Sequence, residues 1–130
     1  MRMNPEEFKV QMEERTLTFA VDVLDFLDEL PNRQVLKVVV FQLSKSASSI
    51  GANYRESNRA ESREDFVHKL GIVVKEANET VYWFGILARL KCVSLNQRDK
   101  INPLAIEAKE LYSLFQSISR SARAIKTIAK

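Results

Sequence analysis

The side chains that could carry chemistry here are one histidine, His68, one cysteine, Cys92, a run of serines at 44, 46, 48 and 49, and the carboxylates of Glu76 and Glu79. Paired carboxylates in a helical bundle invite a di-iron reading, which needs a glutamate from each of two helices and a Glu-x-x-His from each of the others. His68 is preceded at that spacing by Asp65, and Glu79 stands where the histidine after Glu76 would be. The set is incomplete, and His68 reads as a rim residue. One cysteine and one histidine cannot complete a tetrahedral zinc site. None of the serines sits in a Gly-x-Ser-x-Gly elbow or has a His and Asp set beside it, which argues against nucleophilic catalysis. Gly51, Gly71 and Gly85 stand singly, so there is no glycine-rich phosphate loop. The residue types predict a protein that is not an enzyme and takes no metal, cofactor or small-molecule substrate.

Residues 42–59, QLSKSASSIGANYRESNR, are the stretch that burial alone does not explain. At about 100° per residue, Gln42, Ser46, Ser49, Asn53 and Glu56 fall on one narrow polar line of a helix. Beside it Leu36, Leu43, Ala47, Ile50 and Tyr54 form an apolar stripe, and Lys37, Arg55 and Arg59 occupy the far side. This one helix therefore has a core face, a polar seam and a cationic exterior.

The elements that position these residues are helices. The 130 residues contain only three Gly and three Pro, too little turn chemistry for a sandwich or barrel, and the length fits one domain, 1–130. A single cysteine excludes an internal disulfide and fits a reducing cytoplasm. No run of roughly 18 apolar residues suggests a membrane span, so the expectation is a soluble cytoplasmic protein. Net charge is +3, unevenly spread: residues 1–30 hold three basic and eight acidic side chains, residues 31–59 hold five and one. From Arg120 onward come Arg120, Arg123, Lys126 and Lys130 with no acidic side chain. Such segregation serves either an acidic partner or the pairing of an acidic helix with a basic one inside the fold.

The spacing predicts four helices near 5–30, 32–58, 62–93 and 99–128, running up, down, up, down as an antiparallel four-helix bundle. Asn4 is the first N-cap with Pro5 behind it, and Pro31 ends the first helix after Leu30. Residues 38–41, three valines and Phe41, resemble a strand, but helical spacing continues on both sides. Ser62 caps the third helix. Residues 95–100 read as a loop, with the last helix starting at Asp99 or at Asn102 before Pro103. Arg15 lies on the apolar line of the first helix. It either snorkels past the core rim or is buried against Glu56, Glu76 or Glu79. The third helix is apolar on a second side, with Ile72, Trp83, Ile86 and Leu90 beside Glu76 and Glu79. That side predicts a contact with another subunit, with Trp83 as its anchor.

Residues 42–59, followed by EDFVHKLGIVVKEANETVYWFGIL, resemble the small bacterial four-helix bundle family that includes proteins encoded in intervening sequences of 23S ribosomal RNA genes, also labelled S23 ribosomal proteins. The pattern positions are Gln42, Leu43, Ser46, Ser49, Ile50, Ala52, Asn53 and Glu56, then Lys75, Glu76, Glu79, Thr80 and Trp83. Lys45 stands where the family has arginine, which keeps the charge and loses the bidentate fork. The resemblance implies a closed homo-oligomer, five copies, working with RNA. The expected nucleic-acid contacts are Lys37, Arg55, Arg59, Arg120, Arg123, Lys126 and Lys130. The expected subunit contacts are Gln42, Ser46, Ser49, Asn53, Glu56, Ile72, Glu76, Glu79, Trp83 and Ile86. A scaffold for a protein partner is the alternative.

Overall fold

The structure, a computed structural model, describes residues 3–129, the side chains after Ile125 excepted. Four helices account for nearly all of it: α1, Pro5–Asp28; α2, Gln34–Ser57; α3, Arg63–Arg89; and α4, Leu95–Ala129. Residues 38–41 are helical, as the flanking periodicity requires. No helix among the described residues is long and apolar enough to cross a membrane.

Local chemistry sets most helix ends. Asn4 Oδ1 accepts from the Glu7 amide at 2.9 Å, with Pro5 at the first position and Glu6 and Glu7 in the first turn. At the other end α1 stops at Asp28, short of the expected Leu30. Its last turn tightens: the Glu29 and Leu30 amides donate to the carbonyls of Phe26 and Leu27, because Pro31 bars Leu30 from the helical region. Ser62 Oγ caps α3 by accepting from the Asp65 amide at 3.1 Å. The Asp65 carboxylate accepts from Lys69 at 3.0 Å, which holds its carboxyl below the usual range.

The junction of α3 and α4 corrects the sequence reading. Residues 95–100 are helix, and α4 starts at Leu95 because Ser94 and Gln97 form a reciprocal capping box. Ser94 Oγ accepts from the Gln97 amide at 3.1 Å, and Gln97 Oε1 accepts from the Ser94 amide at 2.8 Å. The signal was present as Ser-x-x-Gln. Pro103, the competing start signal, lies inside α4, leaving one carbonyl without its helical donor. Arg98 closes the preceding helix end, its guanidinium donating to the carbonyls of Ala88 and Leu90 at 3.1 and 3.0 Å. α3 accordingly ends at Arg89, short of the expected 93.

Adjacent helices are antiparallel. Glu13 at the start of α1 meets Asn58 just past the end of α2, and Ser46 of α2 meets Thr80 of α3. Lys100 of α4 meets Glu29 just past the end of α1. α3 packs closely on α2 and α4, α1 packs on α2, and the α1–α4 edge is thin. No Cα atoms of α1 and α3 come within 8 Å of one another, so the two helices occupy opposite corners of the bundle. Phe84, Phe115, Leu36, Leu43, Ile50, Leu70 and Leu87 are fully buried between them.

The crossing of α1 and α2 depends on Gly51. A methyl group there would stand 2.8 Å from Thr16 Oγ1, 3.1 Å from Thr16 Cβ and 3.4 Å from the Thr16 carbonyl carbon. Thr16 is fully buried, and its hydroxyl donates to the carbonyls of Met12 and Glu13, so it cannot swing aside. Gly51→Ala should therefore cost about 1–3 kcal/mol in urea unfolding, although alanine is the better helix former by itself. A stability equal to or above the parent's would contradict this contact.

Candidate functional site

The thin edge between α1 and α4 leaves an open groove of about 650 Å³. Phe8, Met12, Phe19, Leu104 and Leu114 line it with apolar surface, and Glu14, Asp22 and Glu107 make its rim acidic. Arg15 spans it. Its Nε and Nη2 donate to the two carboxylate oxygens of Glu107 at 2.8 and 2.6 Å, and Nη2 donates also to Glu110 at 2.9 Å. This replaces the expected pairing with Glu56, Glu76 or Glu79. Arg15 faces α4 at the next corner of the bundle, whereas Glu76 and Glu79 are on α3, at the corner opposite α1. The bond to Glu107, opposed by partial burial, raises the Arg15 pKa further. Among the described residues the groove lining contains no serine, cysteine or histidine; Thr18 supplies a hydroxyl, and Glu14, Asp22 and Glu107 supply carboxylates.

The predicted cations do not gather on one face of a single chain. Arg55 and Arg59 turn toward α1, where Glu13 lies 3.5 and 3.6 Å away and also accepts from Asn58 at 2.9 Å. Lys37 is exposed on α2 some 18 residues before Arg55, or roughly 27 Å along the helix. Arg120 and Arg123 are exposed near the end of α4, a helix that shares no backbone contact with α2. The Lys126 and Lys130 side chains lie outside the described residues.

The polar seam runs along the boundary of α2 and α3. Ser46 is buried and accepts from Thr80 Oγ1 at 3.0 Å. Ser49 and Asn53 donate back to their own helix, at the carbonyls of Lys45 and Ser49. Gln42 is half-buried and Glu56 exposed. On α3, Ile72, Glu79, Trp83 and Ile86 are half-buried, and Trp83 meets Tyr82 edge-on at 5.5 Å. The second apolar side of α3 is thus partly covered within the chain by α2 and α4.

Glu76 is the strained member of this group. Its Oε2 has no contact with solvent and no hydrogen-bond partner. Burial pushes its carboxyl pKa up, Glu79 adds to the rise, and Lys45 and Lys75 offset part of it. Among the described residues no three His, Cys, Asp or Glu side chains are grouped to hold a metal ion.

Residues 9–111 match the family model of the 23S rRNA-intervening sequence protein. The chain belongs to that family. Its structure is also similar to the crystal structure of a protein of unknown function from the S23 ribosomal protein family of Bacteroides thetaiotaomicron. The two are 38% identical with a TM-score of 0.72, over 86% of this chain and 97% of that one. No curated protein matches the chain. Both segments that carried the sequence resemblance fall inside the family match, whereas Arg120, Arg123, Lys126 and Lys130 lie beyond residue 111.

Two outcomes follow for this 23S rRNA-intervening sequence family member. Replacing Arg15 by Met should cost about 1 kcal/mol, since partial exposure screens the bridge. A double-mutant cycle with Glu107→Gln should return most of that as coupling, and zero coupling would mean the bridge contributes nothing. Because the folded pKa of Glu76 is raised, the folded state favours its protonated form. Its contribution to stability therefore falls as pH rises from the ordinary value of 4.5 through the folded value. Glu76→Gln should raise the thermal midpoint at neutral pH and leave it near the parent's in mild acid. An equal shift at both would rule out titration as the cause.

Proposed function

We propose that this chain is a non-enzymatic subunit that assembles with copies of itself, and that the assembly presents outward cations to structured RNA. The observation that carries the reading is an apolar stripe on the outer face of α1. Val10 is 68% exposed, Leu17 52%, Val21 48% and Leu24 42%, and contiguous exposed apolar surface of this kind marks interaction sites. The family resemblance supplies the number, five copies in a closed ring.

Assembly addresses the dispersal of the cations. Lys37, Arg120 and Arg123 face solvent in separate places on one chain, and a ring repeats each of them around a common axis. The Glu13 contacts of Arg55 and Arg59 are long, and both guanidinium groups are exposed. Such pairs hold little free energy, and a phosphate can take the place of Glu13. The family's description makes 23S ribosomal RNA the first nucleic acid to try. Few aromatic side chains are exposed for stacking on bases, so recognition is by shape and charge. A protein scaffold is the second reading, favoured by the compensation of Arg55 and Arg59 within the chain.

Light scattering should give a multiple of the 14.9 kDa chain mass, and a monomer at micromolar concentration would overturn the assembly. Titration of a structured RNA at two salt concentrations tests the partner. Affinity should fall with salt by a log-log slope of roughly −0.7 per phosphate contact. Arg120→Gln, Arg123→Gln and Lys126→Gln together should weaken binding and flatten that slope. Unchanged affinity and slope would exclude the end of α4, and no binding by the parent would favour the protein scaffold.

A further inference from the structure

Resting on the self-assembly reading, we infer that the outer face of α1 docks on the outer face of α3 from a second copy, with the two helices parallel. The α1 stripe is Val10, Glu14, Leu17, Val21, Leu24 and Asp28, all exposed. Its spacing of four, three, four, three and four residues is that of a helix–helix seam. The exposed line of α3 is Gly71, Lys75, Asn78, Tyr82, Gly85 and Arg89. It repeats the same spacing.

In parallel register the two lines are complementary at nearly every step. Glu14 comes opposite Lys75, and Asp28 opposite Arg89. Val10 and Leu24 come opposite Gly71 and Gly85, Leu17 opposite Asn78, and Val21 opposite the ring of Tyr82. None of the four charged groups makes a hydrogen bond or salt bridge among the described residues. In the antiparallel register Leu24 faces Lys75, Val10 faces Arg89, and no charge pair forms. Pairing α1 with another α1 sets Glu14 against Glu14 and Asp28 against Asp28 in the parallel register, and in the antiparallel one leaves them opposite Leu24 and Val10, with no cation on the exposed face to pair either carboxylate.

The two glycines have no explanation within one chain. A methyl group on Gly71 or Gly85 would meet nothing within 4 Å, in contrast to Gly51. Mid-helix glycine is unfavourable in an exposed position, and here it opens two notches 14 residues apart, matching Val10 and Leu24 on the partner stripe. Those notches let the α1 backbone approach closely.

The polarity and placement of the helices also fit. α1 and α3 run in the same direction at opposite corners of the bundle. A contact between them is heterologous, uses a different face on each side, and keeps every copy pointing the same way. Repetition of such a contact gives a ring where the rotation between copies closes and an open filament where it does not; the ring is the form proposed above. Ile72, Trp83 and Ile86 then lie along the border of the contact.

Cross-linking and charge exchange test this. In a Cys92→Ser background, Leu24→Cys with Gly85→Cys should give, on mild oxidation, a covalent ladder that continues past the dimer. A ladder that stops at the dimer, or one formed by Leu24→Cys with Lys75→Cys instead, would overturn the parallel contact. Glu14→Lys with Asp28→Lys should reduce the light-scattering mass to 14.9 kDa, and adding Lys75→Glu with Arg89→Glu should restore the parent mass. Gly71→Leu with Gly85→Leu should keep or raise thermal stability of the helix while abolishing assembly. A monomeric parent would overturn both this contact and the self-assembly reading. An oligomeric parent whose mass survives all these changes would overturn this contact alone.

Discussion

The approach of α1 to α2 at Gly51 and Thr16 is the constraint from which the other features of this bundle derive. With a Cβ 2.8 Å from Thr16 Oγ1 excluded, α1 seats deeply on α2 at that level, and its rotation about its own axis is set. Glu13 then points at Arg55, Arg59 and Asn58, while Arg15, two residues on, points the other way toward α4. The same rotation leaves Val10, Leu17, Val21 and Leu24 in solvent. One small residue on α2 thus sets three surfaces of its neighbour.

Charge is distributed in keeping with this arrangement. The acidic first helix is partly neutralised on one flank, where Arg55 and Arg59 of α2 come to Glu13; on the other flank Arg15 of α1 compensates Glu107 and Glu110 of α4. Segregated charge in the sequence therefore has in part an internal purpose, as compensation between adjacent helices. What remains outward on α1 is acidic and apolar, and what remains outward on α3 is basic with glycine notches. Those two surfaces differ in sign and in relief, as the two sides of a heterologous contact must.

The exposed cations Lys37, Arg120 and Arg123 stand at separate places on one chain. In the proposed ring, repetition would convert them into belts, and an electrostatic partner such as RNA would respond to the summed field. The buried Oε2 of Glu76, with no donor facing it, lies close to the α2–α3 boundary. Among the described residues it is the buried side-chain atom left without a hydrogen-bond partner.

Helix number, type and order were legible from the residues alone, because apolar spacing, N-cap residues and prolines act over a few residues at a time. Asn4 and Ser62 cap where they were expected, and the family pattern in residues 42–59 and 64–87 identified the family to which the chain belongs. The start of α4 was equally local, in the Ser94–Gln97 box, but Pro103 offered a competing start signal as a first-turn proline. The partner of Arg15 was not legible. A long side chain on an apolar line can reach either neighbouring helix, and the choice of Glu107 depends on which corner α4 occupies and how α1 is rotated against Gly51. Likewise the sequence alone showed that α3 is apolar on two sides, but the degree to which α2 and α4 cover Trp83 and Ile86 was decided by packing. Local rules determine which elements form; the faces they leave open are set by close contacts between residues far apart in the chain.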